Sequence, residues 1–141
     1  MKLLIAIDGS ETALRALQYV VDHPDFFGAN AEMLLVFVHL PVPSSRAKAV
    51  LGNDVIEQYY KDESEEALGP ARELLAGKPY RVTERLIIGQ PAAEIMATAQ
   101  GNGCDLIVMG TQGRSALGNL IMGSVAMRVI ATSTVPVLSI K

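Results

Sequence analysis

The sequence predicts an α/β protein with one open parallel sheet between two layers of helices. Three observations lead there. Short apolar runs closed by turn residues alternate with longer segments whose apolar residues recur every three or four positions, so strands alternate with helices. The strand-like runs are almost continuously apolar, as strands buried on both faces are. Finally, 141 residues is one domain's worth of chain, and the five strands it holds are too few for an eight-stranded barrel or a six-stranded dinucleotide fold.

Residues 3–7 form the first run, stopped by Asp8, Gly9 and Ser10. Leu14, Leu17 and Val21, flanked by Ala13, Ala16 and Val20, then mark an amphipathic helix that Ser10 is suited to cap. Residues 33–38 are a second apolar run, followed by a polar, proline-containing connection over 41–53. A long helix comes next, carrying Val55, Ile56, Tyr59, Ala67, Leu68, Ala71, Leu74 and Leu75. Pro70 removes a backbone donor inside it, which predicts a kink or a restart, and Gly77 ends it. Residues 81–88 are a third, imperfectly alternating strand; Gly89-Gln90-Pro91 closes it and opens a short helix over 92–100, with Pro91 suited to the first turn. After the turn Gly101-Asn102-Gly103, residues 106–109 form a fourth buried strand. A long connection over 110–122, a helix over 123–132 and a last strand from Val135 to Ile140 complete a βαβαβαβαβ order.

Composition narrows the function. Half of the residues are apolar but only 5% are aromatic, with no Trp, so the core is aliphatic and ring-stacking platforms for single-stranded nucleic acid are disfavoured. A net charge of −3 gives no basic field for a phosphate backbone. The single cysteine, Cys104, cannot close an internal disulfide and reads as a small buried hydrophobe, which with the lack of a signal-like or membrane-spanning apolar run predicts a cytoplasmic protein. His23 and His39 have no metal-ligand partners at sensible spacing. The acidic run Glu57, Asp62, Glu63, Glu65 and Glu66 reads as a solvated helix face.

In open α/β sheets ligands bind beyond the carboxyl ends of the strands, where the winding reverses. The most informative strand end is the 110–123 segment, with glycines at 110, 113, 118 and 123 between a buried strand and a helix. Such a segment lets backbone amides approach an anion while the helix N-terminus adds a favourable dipole, with Ser124 as a hydroxyl donor and Arg114 as a cation. It is neither a P-loop nor a dinucleotide fingerprint, and no Walker lysine is present.

The spacing Gly110, Gly113 and Gly123-Ser124 is G-x2-G-x9-G-[ST], which resembles the nucleotide-binding signature of the universal stress protein family. The opening Ile5-Ala6-Ile7-Asp8-Gly9-Ser10, the segment 89–95, the run 105–110 and the closing Thr134-Val135-Pro136-Val137-Leu138 resemble the same family in the same order, across the whole chain. The resemblance implies a Rossmann-like sheet of order 3-2-1-4-5, a homodimer paired through the last strand, Val135 to Ile140, and an ATP-binding protein of the stress response, with Mg²⁺ on the phosphates. It implies that Asp8 lies near the adenosine or the metal and phosphates and that Val38 meets adenine through its backbone. Gly110 and Gly113 would frame the ribose and phosphates, Gly123, Ser124 and Val125 would face the phosphates, and Arg114 stands where the family often carries a basic residue. Gln112 departs from the family's usual His.

Two functions compete: a nucleotide-responsive binding module and a slow Mg-dependent ATPase. Fast hydrolysis needs a placed water and charge stabilisers at the γ-phosphate. Asp8, Arg114 and Ser124 are the only evident candidates, so weak or absent turnover is expected. A phospho-receiver is disfavoured because Gly89-Gln90-Pro91 offers no carboxylate after the third strand, and a flavin carrier because the strand ends lack aromatic rings. Pro136 fits only an edge or irregular strand, and an edge strand needs cover or pairing with a second copy.

Overall fold

The computed structural model describes residues 1–43, 49–114 and 122–141. Five strands form one sheet in the order β3-β2-β1-β4-β5, and each pairing is parallel. The strands are β1 (Lys2–Ala6), β2 (Glu32–His39), β3 (Arg81–Ile88), β4 (Leu106–Gly110) and β5 (Val137–Ile140). Between them run α1 (Glu11–Asp22), α2 (Pro24–Phe27), α3 (Asn53–Leu75), α4 (Pro91–Gly101) and α5 (Ser124–Thr132). The expected fold class and strand order are therefore observed.

Successive residues of a strand point to opposite faces, and the continuous apolar runs feed two cores at once. Leu3, Ile5, Leu35 and Val108 join Leu17 and Val20 of α1 and Leu68 and Ala71 of α3 on one face. Leu4, Leu34 and Ile107 join Ile95 of α4 and Val129 of α5 on the other. Each fully buried aliphatic side chain contributes about 1.5–3 kcal/mol, so these strands have no face to give to solvent. The edge strand β3 is the exception, with Val82, Leu86 and Ile88 each 38–40% exposed.

Several local expectations change. α3 runs unbroken through Pro70, whose ring sits on the exposed side while Ala67, Leu68 and Ala71 beside it are buried; packing of that stripe holds the helix across the missing donor. The last strand begins at Val137 rather than Val135, because Pro136 cannot donate; its carbonyl accepts from the Ile107 N–H and so leads into the ladder. The short α2, which the apolar periodicity does not signal, buries Phe27 beside Tyr19. Much of the 41–53 connection and of the 110–122 connection, including Gly118, lies outside the described residues.

The acidic run on α3 is more than a solvated face. Arg72 forks onto Glu84 of β3 through Nε and Nη2, both at 2.7 Å, and also meets Glu65, tying the helix to the edge strand. These carboxylates push the Arg72 guanidinium far above its ordinary range, and the hydrogen bond from Arg72 holds Glu65 below its ordinary value. Glu63 and Glu66 face Arg114 instead.

Candidate functional site

β1 is flanked by β2 on one side and β4 on the other, so the winding direction reverses at the β1–β4 junction. A cavity of about 410 Å³ opens above the carboxyl ends of these strands, within the ~300–1,000 Å³ range of small-molecule sites. Ala6, Val36, Val38, Ile95 and Met109 give it an apolar floor. Asp8, Ser10, Thr111, Gln112, Gly113, Gly123 and Ser124 supply the polar groups.

The β1 end is shaped by a turn. The Ser10 N–H donates to Asp8 Oδ1 at 2.8 Å, and the Ser10 hydroxyl accepts from the Ala13 N–H at 3.3 Å, capping α1. One carboxylate oxygen of Asp8 thus fixes the turn, while the residue lines the cavity. Gly9 sits at φ +82°, a conformation that favours glycine.

The β4 end is held against α1. The Thr12 hydroxyl donates to the Gln112 carbonyl at 2.6 Å, and Thr12 Oγ1 lies 3.3 Å from the Gln112 N–H. A Cβ at Gly110 would stand 2.4 Å from Thr12 Oγ1 and 2.6 Å from the backbone of Thr12 and Ala13, so glycine is required for β4 to approach the first turn of the helix. A Cβ at Gly113 would meet Asp8 Oδ2 at 3.2 Å, which brings the segment's second glycine against the β1 carboxylate. Gly123 is under no such pressure: its backbone is extended (φ −75°, ψ 160°), its nearest Cβ neighbour would be 3.4 Å away, and its N–H donates to the Thr111 carbonyl.

Gly123 is the N-cap of α5 and offers no side-chain cap. The first-turn amides of a helix have no intrahelical acceptor, and the residues that carry them here, Ser124, Val125 and Ala126, line the cavity. Beside them, Thr111 is 7% exposed and its Oγ1 has no hydrogen-bond partner among the described residues. A buried hydroxyl without a partner costs about 1–3 kcal/mol, which a ligand oxygen placed there would recover. With its apolar floor, uncapped helix end and orphaned hydroxyl, the cavity suits a ligand with one flat apolar part and one anionic part.

All but one of the candidate site residues come together here: Asp8, Val38, Gly110, Gly113, Gly123, Ser124 and Val125 line the cavity. Arg114 does not. Its Nη1 is 3.2 Å from Glu63 Oε2 and its Nη2 is 4.0 Å from Glu66 Oε1, so the cation sits on α3. Thr12 and Thr111 carry roles that the motif did not assign; the signal for Thr111 is alternation, since Ile107, Met109 and Thr111 share one face of β4 and its extension. Asp8 is the one charged side chain among the described residues of the wall. No group of three or more His, Cys, Asp or Glu among the described residues is placed to hold a metal. Cys104 lies outside the cavity, where burial pushes its thiol up. No helix among the described residues is long and apolar enough to cross a membrane.

A family model described as the universal stress protein family matches residues 1–141. A universal stress protein of Thermus aquaticus is 36% identical over 141 residues, covering 99% of this chain and 97% of its own. The solved structure of MJ0577, a universal stress protein of Methanocaldococcus jannaschii, superposes with a TM-score of 0.80 at 29% identity and covers 99% of this chain and 94% of its own. A universal stress protein solved in complex with cAMP superposes with a TM-score of 0.66 at 25% identity, covering 100% and 97%.

Proposed function

The chain belongs to the universal stress protein family, and on that premise we propose that it is an adenine-nucleotide-binding module of the stress response, acting in the cytoplasm as a homodimer. ATP, taken up with Mg²⁺, is the proposed ligand. The observation that carries this reading is the cavity at the β1–β4 junction, with the uncapped α5 N-terminus and the orphaned Thr111 hydroxyl at one end and an apolar floor at the other. In this reading adenine lies on Val36, Val38 and Ile95, with the Val38 backbone at the ring edge. Gly110 and Gly113 flank the ribose and phosphates, and the amides of Ser124 and Val125 with the Ser124 hydroxyl take the phosphates, as anions are taken at helix N-termini. The cAMP complex of a related protein supports a nucleotide in this fold.

A Mg²⁺ ion fits only as part of a metal–nucleotide complex. Such ions are commonly held by one or two carboxylates plus substrate phosphates, and Asp8 is the carboxylate available. Asp8 already holds the Ser10 N–H, and no charged residue stands beside it on the described wall, so binding outweighs turnover. The proposed dimer pairs the outer edge of β5, the sheet's terminal strand, with a second copy; exposed Met127 and Ile130 on neighbouring α5 offer apolar surface beside it.

The test is direct. Purified protein is denatured, the supernatant is resolved by anion exchange for adenine nucleotide, and the folded protein is then titrated with MgATP and assayed for phosphate release. Stoichiometric binding without release is expected, and Gly113→Val, which drives a branched side chain into Asp8, should abolish it. Absence of binding by the wild type, or full binding by the variant, overturns the assignment.

A further inference from the structure

Arg114 is the one cation of the whole 110–123 segment, since residues 115–121 carry no charge in the sequence. It is held away from the cavity. Its aliphatic stem passes over Gly9, with Cδ 3.5 Å from where a Cβ would stand, and Ala67 of α3 lies 3.6 Å from that same point. The guanidinium ends on Glu63, a carboxylate only 25% exposed, with Glu66 further out. Yet both residues that lead to it, Gly113 before it in the chain and Asp8 before Gly9, line the cavity. The described wall therefore presents one negative charge and no positive one, while the cation of this segment is neutralised from outside.

We propose that Glu63 sets the phosphate charge this site accepts, by holding Arg114 off the cavity: without a divalent cation the protein favours nucleoside monophosphates over triphosphates, and release of Arg114 from Glu63 opens it to the latter. This rests on the adenine-nucleotide reading above. A monophosphate is met by the α5 amides and the Thr111 hydroxyl and needs no further counter-charge. Each added phosphate brings more negative charge towards Asp8, and Arg114, the cation that follows Gly113, or a metal carried with the ligand offsets it. Because Arg114 cannot serve Glu63 and a phosphate at once, the ion pair competes with the longer ligand. Its removal should shift affinity modestly, since a pair of this exposure is worth roughly a three- to fivefold change in an equilibrium.

The experiment is titration calorimetry of the full chain with AMP and with ATP, in EDTA at about 50 mM salt, where the screening length stays above ~10 Å. Glu63→Gln is expected to tighten ATP about three- to fivefold and to leave AMP within about twofold. The gain for ATP is expected to vanish in the double variant with Arg114→Gln. An unchanged ATP-to-AMP ratio in Glu63→Gln overturns the proposal, as does a gain that survives loss of Arg114. Should Glu63→Gln fail to fold by circular dichroism, Glu63→Asp, which withdraws the carboxylate by one methylene, should give a smaller gain of the same sign; no gain overturns it equally. If the wild type binds neither nucleotide in EDTA and no MgATP, the nucleotide reading itself falls; MgATP binding with neither bound in EDTA overturns only this proposal, and binding of both with an unmoved ratio removes only the role of Glu63.

Discussion

The glycines of the 110–123 segment look equivalent as a motif, but the structure gives them unequal burdens, and Gly110→Ala measures the difference. The added methyl would sit 2.4 Å from Thr12 Oγ1 and 2.6 Å from two backbone atoms of α1, where ordinary contact begins near 3.4 Å. Backbone cannot swing aside as a side chain can, so β4 or α1 must shift by most of an ångström. Overpacking of this kind costs about 1–3 kcal/mol. The shift also strains the two Thr12–Gln112 hydrogen bonds, each worth about 1 kcal/mol net. A total near 3 kcal/mol, with a urea slope of about 2 kcal/mol/M, moves the unfolding midpoint down by roughly 1.5 M. Gly113→Ala meets only one carboxylate oxygen, at 3.2 Å, and should cost under about 1 kcal/mol in stability. Gly123→Ala meets nothing closer than 3.4 Å at a φ that any residue adopts, and stiffening the unfolded chain should leave it neutral or up to about 1 kcal/mol more stable. Urea unfolding of the three variants, followed by circular dichroism, reads the order directly. A Gly110→Ala midpoint within about 0.3 M of the Gly123→Ala midpoint would refute the close-approach argument, since that gap is under 1 kcal/mol on the same slope.

Two further predictions come from the polar groups. Thr111→Val keeps the shape of a buried side chain but removes the orphaned hydroxyl, so the ligand-free protein should gain up to about 1 kcal/mol while nucleotide affinity falls by about 1 kcal/mol or more; thermal melts and calorimetry on one preparation test this opposition, and parallel losses would sink it. Arg72→Gln unpins α3 from β3 and should cost about 1 kcal/mol near neutral pH, a value already reduced for the third or so of each side chain that meets water. Because Arg72 holds Glu65 below its ordinary value of 4.5, that part of the stabilisation is present above 4.5 and is lost as the pH falls through the depressed value. The stability gap between wild type and variant should therefore narrow below pH 4.5, and a gap that widens in acid would contradict the linkage.

The strands that were easiest to read are those whose two faces are both buried. Leu3 to Ile5 and Leu106 to Met109 had to be continuously apolar to serve two cores, and that pattern is visible in one dimension. α1 was equally plain, because its buried face recurs at helical spacing and Ser10 stands at its cap. At Pro70 local chemistry favours a kink or a restart, and the restart is absent because burial of Ala67, Leu68 and Ala71 holds the helix together. Apolar character continues from Val135 through the last strand, but the Val135 N–H goes to the Ser133 hydroxyl and Pro136 has none to give, so β5 begins at Val137.

By itself the sequence determined the alternation of strands and helices and the spacing of the glycines that lead from β4 into α5. Each of these is a property of neighbours along the chain, written by period and spacing. The tertiary structure alone decided the partners. Gly110 proved to be a packing glycine because Thr12, about a hundred residues earlier, stands against it. Thr111 proved to be an orphaned donor because no other element among the described residues reaches its hydroxyl. Arg114 proved to belong to Glu63 rather than to the cavity, because where a long charged side chain ends is set by the nearest opposite charge in space, and α3 brings that charge from fifty-one residues away.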